Sequence, residues 1–224
     1  MIRLMIVDDQ EMIRMGLRAI LETQDDIELV ADLDDGFAAL STLDEEAIDV
    51  VLLDLRMPGI DGVEVTRRIR VRYSSAQVRI LILTTFDNDE NVLSALRSGA
   101  NGFLSKGVRP TELASAIREV FGGGGALSGA AAQLLIAQLA DSPSGATDPV
   151  LTARFDQLTA REREVVTAIC RGASNDEAAA TLFVSPFTVK THASRAMRKV
   201  GARDRAQLVS MAFDSGLDEF RRSH

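Results

Sequence analysis

The sequence predicts an α/β fold: a doubly wound, five-stranded parallel sheet, followed by a small all-α domain of four helices. Three observations carry this. Short apolar runs alternate with amphipathic segments through the first 120 residues. A glycine-rich break then interrupts the pattern at "FGGGGALSG", Phe121–Gly129. From Leu158 onward only helical periodicity remains.

The apolar runs "RLMIV", "IELVA", "VVLLD", "RILILT" and "GFLS" read as strands one to five. Amphipathic segments follow them in turn, at Met12–Thr23, Gly36–Leu43, Val63–Tyr73, Asn88–Ser98 and Pro110–Val120. Pro110 is tolerated in a first helical turn, so Pro110-Thr111-Glu112 opens the fifth helix. "AAAQLLIAQLA" makes one short helix inside a linker spanning 123–153, with "DSPSGATDP" as its flexible end. The expected division is therefore 1–122, a linker, and 154–224. In the last part Thr159-Ala160-Arg161-Glu162 is a capping box for a helix to about Arg171. Ser174 caps a second helix, Ser185-Pro186 starts a third to Val200, and Asp204 starts a fourth to Asp214.

Composition narrows the function. The single cysteine excludes an internal disulfide, and two histidines argue against a His/Cys metal cluster. Apolar runs stay short of the roughly 18 residues needed to span a bilayer, and Arg3, Asp8 and Asp9 interrupt a signal-peptide core. A cytoplasmic protein without membrane contact is expected. The net charge of -8 divides unevenly, with -11 on residues 1–150 and +3 on residues 151–224. Between Ser185 and Arg205 stand six basic residues and one acid, Asp204. An acidic front and a basic end imply two tasks, the second on a polyanion.

The front task is legible at the strand ends, where open parallel sheets bind ligands. Asp8 and Asp9 follow strand one, Asp54 strand three, Thr84 strand four and Lys106 strand five. A strand order of 2-1-3-4-5 makes these strands neighbours. Three carboxylates then converge with a hydroxyl and an ammonium. Such carboxylates repel one another unless a cation lies among them, and hard oxygen ligands in an incomplete shell suit Mg²⁺. The reading is a site for Mg²⁺ and a phosphoryl group on a carboxylate nucleophile.

"IVDDQ", "LLDLRMPGIDG", "LTTF" and "GFLSK" at these spacings resemble the receiver domain of bacterial two-component response regulators, a flavodoxin-like fold. The resemblance implies that Asp54 accepts phosphate from a sensor histidine kinase or a small phosphodonor. It implies that Asp9, Asp54 and the backbone carbonyl of Arg56 bind Mg²⁺ directly, with Asp8 acting mainly through water. Thr84 and Lys106 would contact phosphoryl oxygens, and Phe103 would change rotamer as Thr84 moves. Pro58, Gly59 and Gly62 would shape the loop. Gly107 and Thr85 depart from the usual pattern and bear on the lifetime of the phosphorylated state.

The basic end divides by face. Val189, Ala193, Ala196, Met197 and Val200 form a stripe suited to burial, while Lys190, Thr191, Ser194, Arg195 and Arg198 point elsewhere. A short helix, a tight "FVSP" turn and this helix make a helix-turn-helix. "LTAREREVV" and "GASNDEAAATLFVSPFTVKTHASRAMRKVGARDRAQLV" resemble the LuxR-type DNA-binding domain. That resemblance implies base reading by Lys190, Thr191 and Ser194. Phosphate contacts would fall to Ser174, Asn175, Thr188, His192 and Arg195, on double-stranded DNA. Leu208, Val209, Ala212 and Phe213 would form a dimer surface. Asp176 and Ala179 depart from the pattern, which implies weaker and more dimer-dependent binding.

Both halves together resemble a NarL/FixJ-type response regulator. The expected function is Mg²⁺-dependent phosphorylation of Asp54 controlling homodimerisation and sequence-specific DNA binding, with no catalysis beyond its own phosphorylation and dephosphorylation. Two rivals stand beside it. An aspartate-nucleophile phosphatase needs a second acid where the chain has Arg56. The other is a phosphorylation-independent DNA-binding regulator whose front domain only dimerises.

Overall fold

Val50–Leu53 has no polar face, and in the computed structural model of the protein all four residues are buried. Coverage on both sides of a sheet requires this. The run forms β3, the middle of five parallel strands: β1 (Ile2–Val7), β2 (Ile27–Leu33), β3, β4 (Arg79–Thr84) and β5 (Gly102–Ser105). Their order is β2-β1-β3-β4-β5, as the sequence predicts. The structure describes residues 1–84, 89–123 and 148–216. Thr85, Asn88 and the short helix expected in the linker lie outside them. The chain divides into two units, Met1–Ala126 and Leu127–His224.

In the first unit, α1 (Glu11–Leu21) and α5 (Pro110–Phe121) cover one face of the sheet. Leu17, Leu21, Leu113 and Ile117 pack there on Leu4 and Leu52. The other face meets α2 (Gly36–Glu45) and α3 (Gly62–Arg72), whose Ala39, Leu43, Val65 and Ile69 are buried. α4 spans Asp89–Ser98 and packs beside α3. β2 runs two residues beyond the apolar stretch that announces it, and a bulge lies opposite Leu4 and Met5. The extension carries a charge, Asp32, inside a strand. Arg14 Nε lies 2.6 Å from Asp32 Oδ1, and Arg18 pairs with the other oxygen, so the strand continues through a neutralised acid.

The second unit contains α6 (Pro149–Asp156), α7 (Ala160–Cys170), α8 (Asn175–Leu182), α9 (Pro186–Val200) and α10 (Arg205–Asp214). α6 corrects the expected linker, which ran to residue 153. Asp148 accepts hydrogen bonds from the Val150 and Leu151 N–H groups, and Pro149 takes the first helical turn. Phe155 is then buried, with α6 packed on α9 and α10. The other expected starts hold: capping boxes Thr159–Glu162 and Ser174–Glu177, and Ser185 accepting from Thr188 N–H. Cys170 is an interior residue whose thiol burial pushes up to about 12. Among the described residues no helix is long and apolar enough to cross a membrane.

Candidate functional site

At the carboxyl end of the sheet, β1 and β3 run side by side, with Val7 opposite Leu53. The next residues, Asp8 and Asp54, therefore emerge together, and the Asp54 N–H donates to Val7 O at 2.9 Å. Carboxylate oxygens of Asp8, Asp9 and Asp54 lie within 4.8 Å of one another; Asp8 and Asp54 are buried and Asp9 is exposed. On the far side β4 and β5 end together at Thr84 and Ser105, and Lys106 N–H donates to Thr84 O at 2.9 Å. This turn sends the Lys106 ammonium into the pocket, 2.8 Å from Asp8 Oδ2 and 3.0 Å from Asp54 Oδ2. Thr84 is buried beside it, and Phe103, in register with Ile82, is wholly inside.

Backbone groups hold the acids in place. The Gln10 N–H donates to Asp8 Oδ1 at 2.9 Å, and the Leu55 N–H to Asp54 Oδ1 at 2.8 Å. The loop after β3 folds back so tightly that a Cβ on Gly62 would strike the Asp54 carbonyl, so only glycine fits there. Gly59 turns the same loop with φ +85°. Burial pushes the Asp54 carboxyl above its ordinary range, and the negative charge of Asp8 adds to the rise. The Lys106 ammonium and the Leu55 N–H oppose it without cancelling it. Three carboxylates, Asp8 and Asp54 buried and Asp9 open to water, against one ammonium leave two negative charges at the site. A divalent cation with oxygen ligands matches that deficit, so the residues fit Mg²⁺.

In the second unit, α9 buries Val189, Ala193, Ala196 and Val200. Its other side presents Lys190, Ser194, Arg195 and Arg198 in the open, with Thr191 and His192 half-buried. α9 packs against α7 and α8, and Phe183 ends α8 at the turn between them.

Residues 4–118 match the response regulator receiver domain family, and residues 156–212 match the luxR family of bacterial regulatory proteins. The chain is a response regulator with a LuxR-type DNA-binding domain. It is 36% identical to the transcriptional regulatory protein LiaR of Bacillus subtilis (strain 168) over 212 residues, 95% of this chain and 97% of that protein. It is 35% identical to the response regulator UvrY of Escherichia coli (strain K12), over 97% of this chain and 96% of that one. The crystal structure of the response regulator ChrA, from a heme-sensing two component system, superposes with a TM-score of 0.53 at 36% identity. That match covers 94% of this chain and 96% of ChrA.

The receiver thus brings together Asp8, Asp9, Asp54, Thr84 and Lys106, with Phe103 beneath, as expected; the Arg56 side chain is exposed on the loop. Gly107 N–H donates to Ser105 Oγ at 3.2 Å, a bond that the more usual proline would not make. Sequence reading misses Arg14, whose guanidinium donates to the Asp8 carbonyl at 2.7 Å while also pairing with Asp32. Asp32 lies just past the predicted strand, so no sequence pattern pairs it with the half-buried Arg14.

In the DNA-binding domain two expectations are corrected. Leu208, Val209 and Ala212 are buried on a helix packed against α6, α7 and α9, so they belong to the domain's own core and offer no dimer surface. The Phe213 side chain lies outside those described. The basic run is also less basic outward than a count of residues implies. Lys199 Nζ lies 2.6 Å from the buried Glu162 carboxylate, and Arg205 donates to Asn175 Oδ1 at 3.1 Å and to Ala173 O. Asn175 is therefore engaged with the interior. Ser174 and Thr188 sit at the starts of α8 and α9, with Thr188 Oγ1 2.8 Å from Ser185 Oγ.

Proposed function

We propose that the receiver takes a phosphoryl group onto Asp54 from a sensor histidine kinase or a small phosphodonor, and that this controls pairing of two chains on DNA. The observation that carries the proposal is the juxtaposition of Asp54 with two further acids and the Lys106 ammonium. Asp8, Asp9, Asp54 and the Arg56 carbonyl would hold Mg²⁺, which when bound supplies positive charge to phosphoryl oxygens. An Asp54 oxygen attacks phosphorus, the bond from phosphorus to the donor breaks, and the donor's leaving group departs with the electron pair. Lys106 follows the added charge, since it already bridges Asp8 and Asp54. The Thr84 hydroxyl contacts a phosphoryl oxygen, and Phe103 responds from the adjoining strand.

The chain itself is no turnover enzyme on this reading; it catalyses only its own phosphorylation and dephosphorylation. The DNA-binding domain supplies α9 to the major groove, with Lys190, Thr191 and Ser194 toward bases and Thr188, His192 and Arg195 toward phosphates. A chain with these tasks works in the cytoplasm. The test uses acetyl phosphate and Mg²⁺, with intact mass as readout. Wild type gains one acid-labile phosphoryl group and Asp54→Asn gains none; stoichiometric label on the variant overturns the assignment. DNA affinity that is equal with and without phosphorylation favours instead a receiver that only dimerises.

A further inference from the structure

The outer face of α9 begins one turn before its expected readers. Phe187, Lys190, Thr191 and Ser194 are spaced 3, 1 and 3 residues apart, so they form one stripe along the helix. Phe187 is 79% exposed, in the first turn, beside a run of basic and hydroxyl residues. Its ring adds nothing to the domain core, which α9 serves through the opposite stripe of Val189, Ala193, Ala196 and Val200. The first turns of a recognition helix are the part that meets base edges.

The neighbours on the stripe sharpen the chemistry. The Thr191 hydroxyl donates to the Phe187 carbonyl at 2.9 Å, so its proton is already used within the helix. Lys190 brings an ammonium that suits guanine acceptors. An aromatic ring offers neither donor nor acceptor to a base edge. The one apolar group in the major groove of unmodified DNA is the thymine C5-methyl, which Phe contacts favourably.

Resting on the DNA-binding reading, we propose that Phe187 is a specificity-determining residue that packs on a thymine C5-methyl group in each half-site. The response regulator then reads an A·T pair by apolar contact at the position facing the first turn of α9, next to the base pairs read by Lys190.

The test begins with duplexes enriched from a random-sequence pool by the full chain treated with acetyl phosphate and Mg²⁺. Each thymine of the enriched site is replaced by deoxyuridine, which removes the methyl and keeps the pairing, and affinity is measured at one fixed salt concentration. At one thymine per half-site the wild type is expected to lose about fourfold, the worth of one buried methyl. Phe187→Ala loses a similar or larger factor on the thymine duplex and no longer distinguishes the two duplexes. Phe187→Leu keeps part of the discrimination, and Lys190→Ala weakens both duplexes while keeping the ratio between them. An exposed side chain leaves folding unaffected, so the variants should melt with the wild type. Wild type that is indifferent to every methyl, or Phe187→Ala that retains the wild-type ratio, overturns the proposal. A pool that yields no preferred sequence overturns specific DNA recognition itself, and this inference with it.

Discussion

Single residues carry unequal burdens, and two of them predict measurable stability changes. Asp54 is a buried carboxylate whose ionisation burial disfavours, with Lys106 giving only partial relief. Replacing it by Asn removes the charge and keeps the shape. Without divalent cation, Asp54→Asn should raise the melting temperature of the receiver by a few degrees, the size expected for about 1 kcal/mol. Mg²⁺ should then stabilise wild type more than the variant, read by thermal melts with and without the ion. A variant less stable than wild type in metal-free buffer would show that the Lys106 pairing outweighs the burial. Phe183 is the opposite kind of residue, 94% exposed but held at φ 55° and ψ 47°, where a side chain crowds its own backbone. Glycine has no such conflict, so Phe183→Gly should stabilise the DNA-binding domain by about 0.5–1 kcal/mol in urea unfolding, after the entropy that glycine adds to the unfolded chain. An equal or lower midpoint would mean that the ring is held by contacts that its exposure does not suggest.

At the scale of elements, the capping chemistry ties local sequence to packing. Glu162 completes the first capping box of its domain and also takes Lys199 from α9, so one side chain fixes the start of α7 and docks α9 on it. Burial alone would raise its pKa, but the bonds from Lys199 and Thr159 outweigh burial and leave it lowered. A lowered acid contributes stability above its unfolded value and loses it as pH falls through the lower folded value. Glu162→Gln should therefore cost about 1–2 kcal/mol at pH 7, toward the lower end because Lys199 keeps access to water. The cost should shrink as the pH drops below 4.5, which urea unfolding at several pH values would follow. Elements with such signals were legible in advance: the strands by their apolar runs, α7 to α9 by their caps. The apolar pattern of β2 stops at Asp32, whose partners Arg14 and Arg18 come from another element. The start of α6 is hidden in the sequence because Asp148-Pro149, a cap and a first turn, also reads as a turn. The acids of the pocket were legible since each follows a strand directly. The Arg14 support was not, because nothing local links it to Asp8.

For the whole molecule, the charge difference between the two halves is the feature that bears on DNA, but only outward-facing charge enters binding. Six basic residues between Ser185 and Arg205 look alike in sequence, yet Lys199 and Arg205 are held by Glu162, Asn175 and Ala173. Burial is equally decisive for the last helix: its apolar stripe reads as a pairing surface until Leu208, Val209 and Ala212 prove to be core. Sequence periodicity shows that a face is apolar without showing whether the chain or a second copy covers it. The salt dependence of DNA affinity separates outward from inward charge, because each lost phosphate contact reduces the slope of log affinity against log salt by about 0.9. Arg195→Ala, which removes an exposed guanidinium from α9, should flatten the slope by about that amount for each bound chain. Lys199→Ala should leave the slope unchanged while lowering the urea midpoint of its domain, since its ammonium serves Glu162. The same titrations repeated on Asp54→Asn in the presence of acetyl phosphate connect the two ends of the molecule. If phosphorylation drives two chains onto one site, the wild-type slope should steepen toward twice the single-domain value on treatment, as two basic faces engage phosphates together. The Asp54→Asn slope should stay where it began; a slope that steepens equally in both proteins would separate DNA pairing from the acidic pocket.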